Sequence, residues 1–442
     1  MKPRDRQLRA HLREAPEDLD AITELLRLLL DDGRFEEASK WIAHAAKIAP
    51  NDPSTHMLRA ELFVAKGDVP SSLSAIADAA AAGAKTFELT MFRAAVAGMQ
   101  EDNETALAQF TQGCELEPDN LAARSGLATT YELLERYHEA IEHYETVLKQ
   151  DADDIEALLG LGRSYFALAR LDRSRFYFER ALATEPDSAA AASGQAEVLF
   201  ELDQEEEALK TLEGFVDTYP DALEALEVLA DLYERAGFLD DAIAMARRCV
   251  KQDLENPDLR LRLARLLWIS EDEAGAIEQA RRILAIDADD VDARMLLAQI
   301  AVKQEATDEA IRHLDAIDAI DREVVNPSAL VLRGMLAMNL GEVTKAAAYA
   351  ERAIEADPDL PEAWELMRDV LMEQDKLDDA CDAARHVLRL EPESSDARLM
   401  LGTLLLRTGD RAGAELEMKS LARADPEAAA TLRQAIAQWH VR

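Results

Sequence analysis

Residues 155–186 read IEALLGLGRSYFALARLDRSRFYFERALATEP, and they hold two helical faces and a stop. Leu158, Leu161, Tyr165 and Leu168 recur at three- and four-residue intervals, and after a break at Ala169 to Asp172 the residues Phe178, Ala181 and Leu182 resume that spacing. Apolar residues so spaced share one side of an α-helix. The stretch therefore predicts two amphipathic helices, the second ended by Pro186, which has no amide hydrogen with which to continue it.

Outward from this stretch, Ser174 falls on a grid of small residues: Ala38, Ser72, Ala106, Ala140, Ser174, Ala208, Ala242, Ala276, Ala310, Ala346, Ala380 and Ala414. The spacing is 34 residues throughout, except for 36 between Ala310 and Ala346. Pro50, Pro118, Pro186, Pro220, Pro358, Pro392 and Pro426 lie twelve places after a grid residue, and Gly83/Ala84, Ala152, Leu254 and Ala288 mark further register points. Repetition at a fixed period means that each unit is one supersecondary element which buries its apolar face only against its neighbours. Gly33, Gly67, Gly237, Gly341 and Gly409 stand at the break inside their units, where a left-handed residue ends a helix and glycine has no Cβ to clash.

The order Ala157, Leu158, Leu161, Gly162, Tyr165, Ser174, Phe178, Ala181, Pro186 closely resembles the tetratricopeptide repeat, and the resemblance extends over essentially the full chain. It implies an all-α fold, a right-handed superhelical solenoid of antiparallel helix pairs, with about twelve repeats plus terminal helices. Small residues on the first helix (Gly162, Gly334, Gly402 and alanines such as Ala60, Ala128 and Ala264) pair with the grid residue on the second, so that two helices approach closely. Leu26 and Arg368 depart from this at the first-helix place. His56, Thr90, Arg124, Arg260, Arg294 and Arg398 stand where the family favours a large apolar residue, and they are expected to weaken individual units.

Residues 1–18 read as an N-terminal helix or partial repeat, with Leu8 and Leu12 on one face. Residues 19–426 form the repeat array, with the two-residue slip near 321–327 and a local change of twist expected there. Residues 427–442 form a C-terminal capping helix, with Leu432, Ile436 and Trp439 on one stripe and Arg433, Gln434 and Gln438 outside it, as the end of a stacked array requires.

The 442 residues carry 88 acidic against 49 basic side chains, a net charge of −39. Nucleic acid is excluded as a partner, since its binding needs a basic track that releases counterions. The acids gather in the turns between units, for example Asp151, Asp153 and Asp154, where they read as helix caps and solubilising charge. Cys114, Cys249 and Cys381 lie in three different second helices and read as reduced, small apolar residues. The start Met1 to Arg6 is polar and no apolar run is long enough to span a bilayer, so neither a signal peptide nor membrane insertion is expected and the assignment is cytoplasmic.

No catalytic, cofactor or metal site is read from the motifs. His138 and His143 in HEAIEH are one residue too far apart for two zinc ligands on one helix face. Asp287, Asp289, Asp290 and Asp292 lack the glycine and terminal glutamate of a calcium loop.

The resemblance implies partner binding on the first helices. Their residues not used in packing are Leu159, Phe166, Phe200, Leu261, Trp268, Met295 and Val302, an apolar stripe with Glu156, Glu224, Glu227, Asp231, Asp258 and Asp292 beside it. The expected ligand is a protein or peptide segment with apolar anchors and Lys or Arg flanks. The rows Asp20, Ser54, Glu88, Glu156, Glu224 and Thr23, Met57, Met91, Ser125, Leu159 contain no lysine, which disfavours the subgroup that holds the acidic tails of chaperones. A non-catalytic scaffold or adaptor is expected; the alternative is an assembly or regulatory factor for a separately encoded enzyme or for envelope or polysaccharide-export machinery. End-to-end self-association into homo-oligomers is a further expectation.

Overall fold

Short polar side chains start most first helices of the computed structural model, which describes residues 3–320 and 325–439. Asp18, Asp52, Asn120, Asp154, Ser188, Asn256, Asp290, Asn326 and Ser394 each accept a hydrogen bond from a backbone amide in the first helical turn. Those amides have no partner inside the helix, so each such cap stabilises by about 1 kcal/mol. The residues that begin these turns are occupied as well: Asp287 accepts from the Asp289 amide and Asp357 from the Asp359 amide.

The described residues form twenty-six helices and no strand. They run α1 (Pro3–Glu14), α2 (Leu19–Asp31), α3 (Phe35–Ile48), α4 (Pro53–Ala65), α5 (Val69–Ala81), α6 (Thr86–Met99), α7 (Asn103–Leu116), α8 (Leu121–Leu133) and α9 (Tyr137–Gln150). Next come α10 (Ile155–Ala167), α11 (Leu171–Thr184), α12 (Ala189–Glu201), α13 (Glu205–Thr218), α14 (Leu223–Arg235), α15 (Leu239–Gln252), α16 (Pro257–Ile269), α17 (Glu273–Ile286) and α18 (Val291–Lys303). The last are α19 (Thr307–Ile320), α20 (Pro327–Asn339), α21 (Val343–Ala356), α22 (Pro361–Glu373), α23 (Leu377–Leu390), α24 (Ser395–Thr408), α25 (Arg411–Ala424) and α26 (Pro426–Gln438). Even numbers through α24 are first helices; from α1 to α14, and again from α15 to α26, each helix packs against the next, an all-α solenoid of helix pairs. Of the slip, residues 321–324 lie outside the described residues, as does the change of twist expected there; so do residues 1–2 and 440–442 of the two terminal segments.

All twelve grid residues are buried, from Ala38 to Ala414. The two serines on the grid do the same thing: the Ser72 hydroxyl donates to the Ala60 carbonyl at 3.3 Å and the Ser174 hydroxyl to the Gly162 carbonyl at 2.7 Å. Both bonds cross from second to first helix twelve residues back, which only a small side chain at a close helix crossing permits.

The chain divides into two compact units, Met1–Ala236 and Gly237–Arg442. In the first, Leu8 and Leu12 of α1 are buried with Ile22, Leu25 and Leu26 of α2. Asp5 of α1 is buried beneath Arg34, which donates to it at 2.7 Å, and beneath Arg9, and both arginines also reach Glu37. Further along, the Phe178 ring fills the space over two glycines: a Cβ at Gly162 would lie 2.7 Å from it and one at Gly194 2.4 Å.

In the second unit, Leu432 and Ile436 of α26 are buried on the core of α24 and α25. The Trp439 indole donates to the Leu406 carbonyl at 2.8 Å, so this side chain is covered by its own chain.

The break inside each pair is left-handed at one fixed place. Gly33, Gly67, Gly237, Gly341 and Gly409 take φ between 66° and 92° there, and Glu101, Glu135, Ala169, Asp203, Glu271, Glu305 and Asp375 take φ between 53° and 65° at the equivalent positions. A Cβ in this region costs roughly 1–2 kcal/mol.

The polar residues that depart from the repeat pattern turn out to have a common task. Arg124 donates to the Pro118 carbonyl at 2.6 Å, Arg398 to Pro392 at 2.6 Å, and Arg260 and Arg294 to Leu254 and Ala288; the His56 ring bonds Pro50 at 3.1 Å. Trp364 does likewise to Pro358 at 2.8 Å. Each reaches six residues back to a carbonyl in the turn between pairs, so five of the six residues expected to weaken their units anchor the turn before them. Thr90, the sixth, is buried.

Candidate functional site

On the second unit the face of the first helices α16, α18, α20 and α22 encloses a groove of about 740 Å³. Its apolar lining is Trp268, Val302, Val331, Leu332, Met335 and Leu366, with Met335 43% exposed. Around this lie Glu305, Glu362, Glu365 and Asp369, with Lys303 as the one cation of the lining among the described residues. The ammonium of Lys303 lies 4.4 Å from the centroid of the Trp268 ring and 3.2 Å from Glu273 of α17, so Trp268 is half-covered by its own neighbour. A cation over an indole face is held by the ring quadrupole.

The carboxylates are unequally matched. Burial pushes the Glu365 carboxyl above its ordinary pKa, and Arg368 opposes this from 3.5 Å while bonding Asp369 at 2.8 Å. Arg368 is itself buried at the place on α22 where most units carry a small residue. The groove thus has an apolar floor and an excess of negative charge.

Of the residues predicted from sequence, Trp268 and Val302 line this groove, Val302 buried and Trp268 partly so. Leu261 is half-buried on α16, and Met295 packs against the buried cluster around Leu314 and Ala298. Asp258 is exposed at the first turn of α16, while Asp292 pairs with Arg265 at 2.9 Å. Ser328, Val331, Met335, Glu362, Glu365 and Asp369 were missed. The signal for them is the slip: 36 residues after Met295 comes Val331, and 34 after that Glu365.

On the first unit, Leu159 packs against the cluster around Tyr144 and Leu161, and Phe166 is half-buried on α10. Phe200 of α12 is also half-buried, with the Arg235 guanidinium 4.3 Å from its ring centroid. Arg235 additionally bonds Glu201 and lies 3.8 Å from Asp231. Glu156 and Glu224 are exposed; Glu197 is half-buried, its carboxyl pushed up by burial and by the nearby Asp231 charge. The sequence reading missed Glu197 and the cation over Phe200. The two predicted parts of the stripe therefore lie on two different units.

The motifs set aside as chemistry are engaged structurally. Glu139 is bonded by Arg136 at 2.7 Å, and His143 stacks on Tyr131 at 5.5 Å. No disulfide joins the three cysteines, and burial raises the pKa of Cys114 and Cys381. Among the described residues no helix is long and apolar enough to cross a membrane.

Short helix pairs stacked at a 34-residue period, with small residues at their crossing, define a helical-repeat solenoid. Sequence comparison gives its family: a profile described as "Tetratricopeptide repeat" matches residues 159–223, 227–291 and 295–361, and a second of that description matches 7–62 and 371–438. A third, described as "Protein kinase G tetratricopeptide repeat", matches 35–174. The chain belongs to the tetratricopeptide repeat family, whose repeats mediate interactions between proteins.

No curated protein sequence matches the chain. Among solved structures it is similar to a thermophilic tetratricopeptide protein of Thermus thermophilus, at 22% identity and TM-score 0.38, covering 41% of this chain and 100% of that one. It is similar also to a tetratricopeptide repeat protein of Parabacteroides merdae, at 18% identity and TM-score 0.46, covering 56% and 98%. A third is the hetero-tetramer Cut9–Hcn1 of the APC/C, at 13% identity and TM-score 0.42, covering 94% and 96%.

Proposed function

We propose that this chain is a non-catalytic scaffold or adaptor that holds a partner protein or peptide on the face of its first helices. The observation that carries the reading is the groove over α16 to α22, where Trp268 and Met335 offer apolar contact between Glu305, Glu362 and Asp369. Large apolar side chains that remain partly exposed in a concave site supply most of the energy of such contacts. The surrounding carboxylates select against acidic segments and favour one with apolar anchors and Lys or Arg flanks. Phe200, with Glu197 and Asp231 nearby, offers the same chemistry on the first unit.

The test is affinity capture from the native lysate with the purified chain as bait, comparing wild type with Trp268→Ala combined with Phe200→Ala, at two salt concentrations. Proteins held by the wild type and lost from a fully helical variant, and released by salt, support the reading. Identical captures overturn it.

A further inference from the structure

The opposite side of the second unit carries a site of the other sign. Between the second helices α15 and α17, over α16, lies a crevice of about 490 Å³. Its floor is Val250, Leu263 and Leu267, and Leu254 stands at its edge 59% exposed. Four cations line it, Arg247, Lys251, Arg260 and Arg282, against Asp272 and Glu278. The last two are already used: Asp272 caps α17 through the Gly275 amide at 2.9 Å, and Glu278 pairs with Arg282 at 2.5 Å. Arg260 is likewise occupied by the Leu254 carbonyl and by Gln279. Arg247 and Lys251 remain, one helical turn apart on α15 and exposed, with no hydrogen-bonding or ionic partner among the described residues of a chain of net charge −39.

We propose that this crevice binds an acidic peptide segment bearing one apolar residue. Side chains four apart on a helix lie about 5–6 Å from each other, a spacing that lets two carboxylates of one peptide meet two cations. The apolar floor and Leu254 set the second requirement, because a bare anion would leave them in water. A second copy of this chain is the less favoured occupant, since its own charge repels an identical molecule. The charge pair is absent from the next three repeats, where the equivalent positions read Arg281/Ala285, Asp315/Ala319 and Glu351/Glu355, and beside the last repeat's pair, Lys419/Arg423, no apolar crevice of this kind is found among the described residues. It returns as Arg385/Arg389 beside a crevice of about 660 Å³, but there Asp382 holds Arg385 at 2.6 Å and Glu417 holds Arg398 at 3.1 Å.

The experiment is fluorescence anisotropy of the full chain with a labelled peptide of glutamates flanking one leucine, against the same peptide with serine for leucine. Arg247→Glu combined with Lys251→Glu is expected to weaken binding at least tenfold. Arg385→Glu with Arg389→Glu, which changes net charge equally, leaves it within twofold, as does Trp268→Ala, so failure here is separable from failure of the groove reading. The leucine peptide is expected to bind several-fold tighter than the serine one. No binding by the wild type, equal loss in both charge-reversed pairs, or equal affinity for the two peptides with displacement by inorganic phosphate would each overturn the proposal. Circular dichroism of each variant, unchanged, shows that the helices persist.

Discussion

The Arg294 guanidinium donates two hydrogen bonds, of 3.0 and 2.5 Å, to the carbonyl oxygen of Ala288 six residues earlier. That carbonyl lies in the turn between α17 and α18, beyond the reach of either helix's own amides. Arg294→Ala is expected to destabilise by about 1 kcal/mol, the lower part of the range for a charged donor because the site is partly hydrated. Arg294→Leu, which restores the apolar residue usual at this place, should cost less. The midpoint of urea unfolding checks both.

Gly194→Ala would put a methyl 2.4 Å from the Phe178 ring, which Gly162 confines from the other side. Displacing a packed ring costs roughly 1–3 kcal/mol. The Tm should fall accordingly, and Phe178→Leu added to Gly194→Ala should recover part of the loss.

Ala169 sits at φ 53° in the place where five other units carry glycine. Ala169→Gly relieves the Cβ clash while increasing the freedom of the unfolded chain, so the net gain is expected to be a few tenths to about 1 kcal/mol. The reverse change, Gly341→Ala, should lower Tm, although no atom obstructs the new methyl group.

Burial raises the Asp5 carboxyl, but the hydrogen bonds from Arg34 and Arg9 overcome that and hold its pKa below the ordinary value. A carboxyl depressed in the folded state contributes stability above the unfolded pKa, about 4, and loses it as pH falls through the lower folded value. Asp5→Asn should therefore expose the amides of α1 to hydrogen exchange at pH 7, and the difference from wild type should vanish in acid. A pH-independent difference would show that packing of α1, not the ion pairs, fixes it.

The fold was legible because 34-residue periodicity is written in residue size: alanine, serine and glycine at helix crossings, proline after the second helix. The left-handed turn was legible only in the five units with glycine, since Glu101 or Ala169 gives no local sign of positive φ. Trp268 could be placed on the face of the first helices by register alone. Its partial cover by Lys303 could not, because Lys303 comes from the next repeat, and the lower half of the groove lies past the slip, beyond Val302 where the predicted stripe ends.

The turn carbonyls have an implication for how this array can change over time. Where the residue six places on is a buried aliphatic, Ile22 or Leu158, the donor comes instead from 28 places on: the His44 ring bonds Pro16 at 2.8 Å and Arg180 bonds Ala152 at 2.6 Å. One requirement is thus met from either of two alternative positions, on different helices. A repeat tolerates loss of the donor on one of its helices when its other helix can offer one, so each position considered singly looks permissive while the pair is constrained. Grafted or shuffled repeats should therefore be cut so that both positions travel together.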